Sequence, residues 1–261
     1  MSYWKLPIVF LSEIVSSRSD STNGYIASYI LGHMHELQEC SLRELAGKIN
    51  VSPSSLSRFC RDIGLHDFIE LKELSSDNSY QFSLASPSPD LSLIRDEFTS
   101  AVQKSLQKVC RSIDMSKIRK LCCDIQKYNQ VAIFGVLKSE GVAMNLQADL
   151  VLQGKHVVTK LPYSEQLDYL EGADEKSLIV IFSFKGVYFD YGFPHDMRRP
   201  KSKRPKIYFI TSDPNSEAAQ QYDEVIWFES DQDRSSHPYQ LQLIADLIAQ
   251  EYGHLLLEGS K

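Results

Sequence analysis

The sequence predicts two domains: an all-α helix-turn-helix domain at the N-terminus, and an α/β domain with a doubly wound, five-stranded parallel sheet at the C-terminus. The first observation is that residues 41–61 carry the caps, the turn residue and the apolar spacing of two short helices joined by a tight turn. The second is a serine-rich stretch with two prolines, residues 75–90, which is typical of a linker. The third is a series of short apolar runs beyond residue 130, which is typical of parallel strands buried on both faces.

The predicted domain boundaries follow these changes in composition. We expect the helix-turn-helix domain, the linker and the α/β domain to occupy residues 1–76, 77–92 and 93–261. A chain of 261 residues that is 43% hydrophobic has enough apolar surface for two packed cores.

Composition also excludes several classes of protein. The longest uninterrupted apolar run, residues 178–182, is far shorter than a membrane span. The N-terminal residues lack a small-residue cleavage site, which predicts a first helix and not a signal peptide. The five cysteines form no C-x-x-C pair, so we expect reduced thiols in a cytoplasmic protein and no zinc site. The net charge of −6 indicates no anionic surface as a partner of the whole chain.

Helices are expected throughout the first seventy-odd residues. After an opening helix, Ser21 or Thr22 is expected to cap a second one, in which apolar residues recur every three or four positions. Ser41 and Glu44 then have the spacing of a capping box, which predicts a helix from Leu42. Asn50 tolerates a left-handed backbone and is expected to end that helix. The next helix should be capped by Ser52 and begin at a proline. The core between the two helices is expected to contain Leu45, Ala46, Ile49, Val51, Leu56 and Phe59.

The outer face of this second helix is predicted to meet the major groove of DNA. Its candidate DNA-binding residues are Ser52, Ser54, Ser55, Ser57, Arg58 and Arg61. The alternative is a small helical hairpin with no role in DNA binding. Residues 1–78 hold seven basic and ten acidic side chains, so the positive charge that DNA requires must be local. A dimer is the expected way to gather enough of it.

Five apolar runs predict the strands of the second domain: residues 131–136, 156–159, 178–183, 206–211 and 224–228. Two helical stretches precede them in residues 91–128, a helix joins the first two strands, and a helix over residues 238–257 closes the domain. Ligands in such sheets bind at the carboxyl ends of the strands. The loops of interest are therefore 135–141, 183–190 and 211–216.

The helix-turn-helix segment resembles that of RpiR-type transcription regulators. The match lies in Leu45-Ala46, Val51-Ser52, Arg58-Phe59-Cys60, Ile63-Gly64, Phe68 and Leu71-Lys72. The family joins this domain to a sugar isomerase (SIS) domain. The resemblance implies a homo-oligomeric regulator of carbohydrate genes that binds operator DNA and whose SIS domain senses a phosphosugar.

The ligand loops of the second domain depart from the SIS pattern. In the first loop Gly135 and Ser139 match a G-x-G-x-S pattern, but Leu137 replaces its second glycine. In the second loop Lys185 and Tyr188 replace two hydroxyl residues of S-x-S-G-x-T. The ligand-binding residues that the resemblance implies are Ser139, Ser183, Lys185, Gly186 and Thr211.

The altered loops leave two interpretations open. Lys185 could bind a phosphate as a point charge. It could instead pair with a carboxylate and fill the site, and the bulk of Leu137 and Tyr188 favours such occlusion. The domain would then be a degenerate SIS fold kept as a dimerisation scaffold.

Other charged residues suggest no further chemistry. A basic run contains Arg198, Arg199, Lys201, Lys203, Arg204 and Lys206. We expect this run to be a solvated loop, and the alternative is a site that binds an anion. The histidines lack metal-ligand spacing, and we expect no metal and no cofactor. Glu140 is the best-placed carboxylate for general base work, but it has no partner and suits the start of a helix.

The sequence therefore predicts a cytoplasmic, DNA-binding transcriptional regulator that is not an enzyme. Its expected partners are operator DNA, another copy of itself in a dimer or tetramer, and an effector of the sugar phosphate class. No membrane is expected as a partner. The alternatives are an isomerase-like enzyme of the SIS fold and an interaction scaffold without a ligand.

Overall fold

The computed structural model describes residues 6–16, 21–75, 88–190, 200–215, 222–231 and 236–259. The chain divides into two compact units. The helical unit comprises residues 1–81, 160–172 and 189–195, and the α/β unit comprises residues 82–159, 173–188 and 196–261. Of the predicted linker, residues 77–87 lie outside the described residues. The helix after it already begins at Leu91, where Asp90 caps it.

The helical unit contains six helices among its described residues. They are α1 (Leu6–Ser16), α2 (Thr22–Gly32), α3 (Leu42–Ile49), α4 (Pro53–Asp62), α5 (Phe68–Ser75) and α9 (Tyr163–Gly172), with a short 3₁₀ turn at Met34–Glu36. Ser21 caps α2 by accepting a hydrogen bond from the Gly24 N–H. The core of the unit includes Phe10, Ile30 and Phe59, whose side chains are fully buried.

The α/β unit contains four helices and four strands among its described residues. The helices are α6 (Leu91–Ser112), α7 (Met115–Lys127), α8 (Lys138–Leu152) and α10 (His237–Gly259). The strands are β1 (Gln130–Gly135), β2 (Ser177–Phe182), β3 (Lys206–Thr211) and β4 (Glu224–Trp227). They form one parallel sheet in the order β1-β2-β3-β4. The predicted α/β class with a parallel sheet is thus confirmed.

The four helices of the α/β unit pack on one face of its sheet. Side chains that alternate along the strands, such as Val131 and Ile133 of β1, form a single core with residues of α6, α7, α8 and α10. The residues between them, including Ala132 and Phe134, are also fully buried. Burial on both faces explains why the strands read as continuous apolar runs in the sequence.

The prediction of five strands was wrong by one. Residues 156–159 make only an isolated bridge from Val158 to Ala132, with Val158 N–H donating to Val131 and Val158 C=O accepting from Ile133, at 2.9 Å each. The next carbonyl of β1, that of Ile133, accepts a hydrogen bond from the Thr159 hydroxyl at 2.7 Å. Because a side chain takes the place of the next backbone N–H, the ladder ends there.

No helix in the described parts of the chain is long and apolar enough to cross a bilayer.

Candidate functional site

The turn between α3 and α4 has the geometry that the sequence predicts. The Ser41 hydroxyl accepts from Glu44 N–H at 3.3 Å, and the Glu44 carboxylate accepts from Ser41 N–H at 2.7 Å, so the capping box is complete. Asn50 ends α3 in the left-handed region, with φ 60° and ψ 42°. Val51 N–H then donates to the carbonyl of Ala46 at 2.9 Å, which closes the turn.

Helix α4 presents a polar face to solvent. The Ser52 hydroxyl caps the helix by accepting from Ser55 N–H at 3.0 Å, with Pro53 at the first helical position. The side chains of Leu56 and Phe59 are fully buried and anchor the opposite face. Of the six predicted DNA-binding residues, four are exposed and two are half-buried. The exposed ones are Ser52, Ser54, Arg58 and Arg61, and the half-buried ones are Ser55 and Ser57.

The positive charge of this surface comes from two guanidinium groups on α4. Neither Arg58 nor Arg61 forms an ion pair with a described residue. Lys48 of α3, by contrast, pairs with Glu36 at 2.6 Å, and that hydrogen bond raises its pKa. Arg58 and Arg61 are therefore available for an external anion, while Lys48 is partly neutralised within the unit.

The three predicted ligand loops lie at one edge of the parallel sheet. They follow the carboxyl ends of β1, β2 and β3, where Gly135 pairs with Phe182 and Phe182 with Ile210. Two backbone hydrogen bonds of 3.0 Å join the second and third loops, from Ser183 N–H to Ile210 and from Ser212 N–H to Phe184. Ser139, Ser183, Gly186 and Thr211 are buried or half-buried at this edge.

The first loop shows why its pattern requires glycines. A Cβ atom on Gly135 would stand 2.5 Å from the carbonyl oxygen of Ser139, so only glycine fits beneath the start of α8. Leu137, at the position of the second glycine in the SIS pattern, has φ 54° and ψ −112°. Such a backbone is unfavourable for a residue with a Cβ atom. The fold has thus kept the conformation of a glycine at Leu137.

Glu140 lies in the first turn of α8 with only 7% of its surface exposed. Burial raises its pKa to about 7, opposed by a hydrogen bond that the carboxylate accepts from the backbone N–H of Leu137. This hydrogen bond makes Glu140 a helix cap, in agreement with the structural role expected for it.

In the third loop, hydrogen bonds within the protein occupy the polar groups. The carbonyl oxygen of Phe184 accepts from the Thr211 hydroxyl at 3.2 Å and from the Ser212 hydroxyl at 2.7 Å. The Thr211 hydroxyl also accepts from Asp213 N–H at 3.0 Å. Thr211 therefore shapes the loop through hydrogen bonds of its own. Phe184 was not singled out from the sequence, because a backbone carbonyl leaves no trace in residue types.

In the second loop, one of the two side chains that depart from the SIS pattern is exposed and the other is buried. Lys185 is exposed and forms no ion pair with a described residue. Tyr188 is fully buried, with its pKa raised by burial. Gly186 has φ 70° and its N–H donates to the Ser183 carbonyl at 3.0 Å, which makes a tight turn that presents Lys185.

Two residues of the basic run form ion pairs within the protein. Arg204, only 5% exposed, donates hydrogen bonds from both Nη atoms to the Asp223 carboxylate, at 2.7 and 3.0 Å. Lys206 pairs with Asp124 at 2.6 Å. Lys203 is exposed, and Arg198 and Arg199 lie outside the described residues. The expectation of a wholly solvated loop was wrong at Arg204, because its partner is distant in the sequence.

Comparison with known proteins finds a family model that matches the helical region. Residues 13–81 match the helix-turn-helix domain of the rpiR family. The predicted helix-turn-helix region before an α/β domain with a parallel sheet is confirmed.

Two curated relatives carry regulator names. An HTH-type transcriptional regulator of Haemophilus influenzae is 30% identical over 51% of this chain and 49% of its own length. Another, from Providencia stuartii, is 23% identical over 67% of this chain and 64% of its own length. The chain thus spans about half the length of the first relative and under two thirds of the second.

Two solved structures share the fold. The NanR protein of Vibrio vulnificus, complexed with ManNAc-6P, is similar with a TM-score of 0.52 over 98% of this chain and 96% of that one, at 17% identity. A protein of an E. coli strain, solved in complex with a ligand, has a TM-score of 0.54 over 65% of this chain and 93% of that one, also at 17% identity. At this level of identity the similarity shows the fold alone.

Proposed function

We propose that this protein is a DNA-binding transcriptional regulator of carbohydrate genes, acting in the cytoplasm. The observation that carries the proposal is the outer face of α4, where Arg58 and Arg61 form no ion pair with a described residue, on a helix anchored by Leu56 and Phe59. The regulator names of the curated relatives support the same function. They also favour a regulator over an isomerase-like enzyme.

A gel shift with DNA from upstream of the protein's own coding region tests this function. We expect Arg58→Ala to weaken operator binding by about 1–3 kcal/mol, because a guanidinium that reads a guanine edge contributes that much. Lys104→Ala, on the exposed face of α6, is the matched control and should bind as the wild-type chain does. Equal affinity of a folded Arg58→Ala variant would remove Arg58 from the interface.

We further propose that the regulator binds DNA as an oligomer, at least a dimer. The acidic balance of residues 1–78 means that one copy brings little positive charge to the DNA. Helices α8 and α10, which pack together, leave Met144, Leu152 and Leu257 exposed. Exposed apolar residues on neighbouring helices favour an interface with a second copy.

Sedimentation of the full chain tests this association. At micromolar concentration we expect a dimer or larger, and we expect Leu152→Glu together with Leu257→Glu to produce monomers. Val15→Glu, on an exposed position of α1, is the control that should leave the oligomer intact. A wild-type chain that sediments as a monomer would contradict the proposal.

A second candidate function is the sensing of a phosphosugar at the ligand loops. It is favoured by Lys185, an exposed cation that forms no ion pair with a described residue and is presented by the turn at Gly186. The NanR structure that is similar in fold was obtained with the ligand ManNAc-6P, which gives a first choice of compound. Lys185 would bind the phosphate, and Ser139, Ser183 and Thr211 would surround the ligand.

A thermal-shift panel of hexose, pentose and amino-sugar phosphates tests this second function. A ligand that binds the native state raises the melting temperature by mass action. We expect a shift that free sugars do not produce and that declines with salt and in Lys185→Ser. The control is Lys176→Ser, another exposed lysine of the α/β unit. The absence of any shift at millimolar ligand would favour occlusion and a scaffold role.

A further inference from the structure

Helix α9 belongs to the helical unit, although it lies between two strands of the α/β unit in the sequence. Residues 160–172 leave the α/β unit after Thr159, and the chain re-enters that unit at Ala173. In α9, Tyr163, Leu167 and Leu170 are buried. The rpiR-type match at residues 13–81 does not include this helix.

Two hydrogen bonds hold α9 and the residues before it to α1. The Ser12 hydroxyl donates to the carbonyl of Leu161 at 3.0 Å, and the Ser164 hydroxyl donates to the Glu13 carboxylate at 3.0 Å. Ser12 is fully buried and Glu13 is 7% exposed. Leaving a buried polar group without its hydrogen-bond partner destabilises the folded protein. These contacts therefore specify one position of α9 on α1.

Helix α1 in turn contacts α4, which is the proposed DNA-recognition helix. The rings of Phe10 and Phe59 stack with centroids 6.0 Å apart, and both side chains are fully buried. Burial raises the pKa of Glu13, and the charge of Asp62, the last residue of α4, raises it further. Helix α1 thus contacts α9 through Glu13 and contacts α4 through Phe10.

At its other end, the segment that leads into α9 is attached to β1. Val158 bridges Ala132, and the Thr159 hydroxyl donates to the Ile133 carbonyl at 2.7 Å. Strand β1 ends at Gly135, where the first ligand loop begins. The chain therefore runs from a strand at the ligand loops directly into the helix that is held to α1.

We propose that α9 positions the recognition helix through α1, with Ser12, Glu13 and Ser164 as positioning residues. The inference rests on the proposed function of α4 in DNA binding. It gives the α/β unit a covalent route to the DNA-binding surface, through residues 158–161 and α9.

The test compares operator binding with non-specific DNA binding in the full-length chain. In Ser12→Ala/Ser164→Ala, we expect the ratio of operator affinity to non-specific affinity to fall at least about fivefold, because α4 loses its position while its charges remain. A merely destabilised protein would lose both affinities in proportion. Ser164→Thr keeps the hydroxyl and should keep the ratio. Ser116→Ala removes a serine hydroxyl contact to Asp114 in the α/β unit and is the control.

Amide hydrogen exchange of residues 53–62, measured by mass spectrometry, is a second readout that needs no DNA. We expect faster exchange in the double variant than in the wild type or in Ser116→Ala. An unchanged affinity ratio in a folded double variant overturns the proposal. If circular dichroism shows that the double variant has not folded, Ser164→Ala decides by the same two measurements. If the wild-type chain binds no operator more tightly than non-specific DNA, the proposed function fails. In that case, unchanged amide hydrogen exchange in α4 of the double variant separately overturns this inference.

Discussion

The ring of Phe10 in α1 stacks on the ring of Phe59 in α4, with 6.0 Å between the centroids and 27° between the planes. Both side chains are fully buried. The inner face of α4 is thus held by a helix far from it in the sequence. This contact predicts how the helical unit responds when α1 is altered.

We expect Phe10→Ala to lower the free energy of unfolding of the helical unit by about 3–5 kcal/mol, because the substitution leaves a cavity against Phe59. Chemical denaturation followed by circular dichroism measures the loss. The matched control is Val15→Ala in the same helix. Val15 is 69% exposed, and its truncation should change stability by less than about 0.5 kcal/mol. Similar losses in the two variants would show that Phe10 is not part of a packed core.

The second prediction concerns the backbone of Leu137. With φ 54° and ψ −112°, this residue holds strain of about 1–3 kcal/mol that glycine would relieve. We therefore expect Leu137→Gly to be more stable than Leu137→Ala by about 1–2 kcal/mol, since alanine keeps the strain and both variants lose the leucine side chain. Thermal denaturation of the two variants measures the difference. If the alanine variant were the more stable, the backbone at this position would be unstrained.

Glu140 gives the third prediction, which is a dependence of stability on pH. Its pKa in the folded protein is about 7, above the ordinary value of 4.5, so unfolding releases its proton between these values. The contribution of Glu140 to stability is therefore full below pH 4.5 and is lost as the pH rises towards 7. We expect Glu140→Gln, which can still accept from Leu137 N–H, to be more stable than the wild type by about 1–3 kcal/mol at about pH 8.

The advantage of Glu140→Gln should vanish below pH 4.5, where the wild-type side chain is also neutral. Denaturation midpoints across this range provide the measurement. Glu175→Gln, at an exposed position of the same unit, is the control and should follow the wild-type curve. An advantage of Glu140→Gln that stayed constant with pH would show that burial of the charge is not its cause.

The fourth prediction concerns the buried ion pair of Arg204 and Asp223. Arg204→Ala leaves the Asp223 carboxylate without its bidentate partner, and we expect a loss of about 3–5 kcal/mol in stability. Lys203→Ala, at the exposed neighbouring position, should be close to neutral. Denaturation of both variants makes the comparison. Equal stability of the two would mean that the pair contributes nothing to the sheet edge.

The features that could be predicted from the sequence depend on residues a few positions apart. The capping box joins Ser41 to Glu44, Asn50 ends α3 by its own backbone preference, and Ser52 caps the helix that begins at the next residue. Such contacts form within one or two turns of the chain, so residue types and their spacing are sufficient evidence for them. The apolar strands were equally clear, because burial on both faces leaves an uninterrupted apolar run.

The ligand loops could be located from the sequence, but the orientation of their side chains could not. Spacing after each strand indicated the loops, and Leu137 was recognised as a substitute for glycine. Whether Lys185 points into the site or out of it depends on the turn at Gly186 and on packing around Tyr188. These are contacts among three loops, and no single stretch of sequence contains them.

The sequence by itself determined the class of each domain, the helix-turn-helix and the loops at the carboxyl ends of the strands, because local hydrogen bonds and apolar periodicity specify them. Only the tertiary structure decided that Thr159 ends the ladder at a single bridge and that Arg204 is buried against Asp223. It also decided that α9 joins the helical unit, through a contact between Ser12 and Leu161 that spans 149 residues. Contacts of this kind form only when distant segments are packed together, so their energies depend on the whole fold and leave no periodic pattern in the sequence.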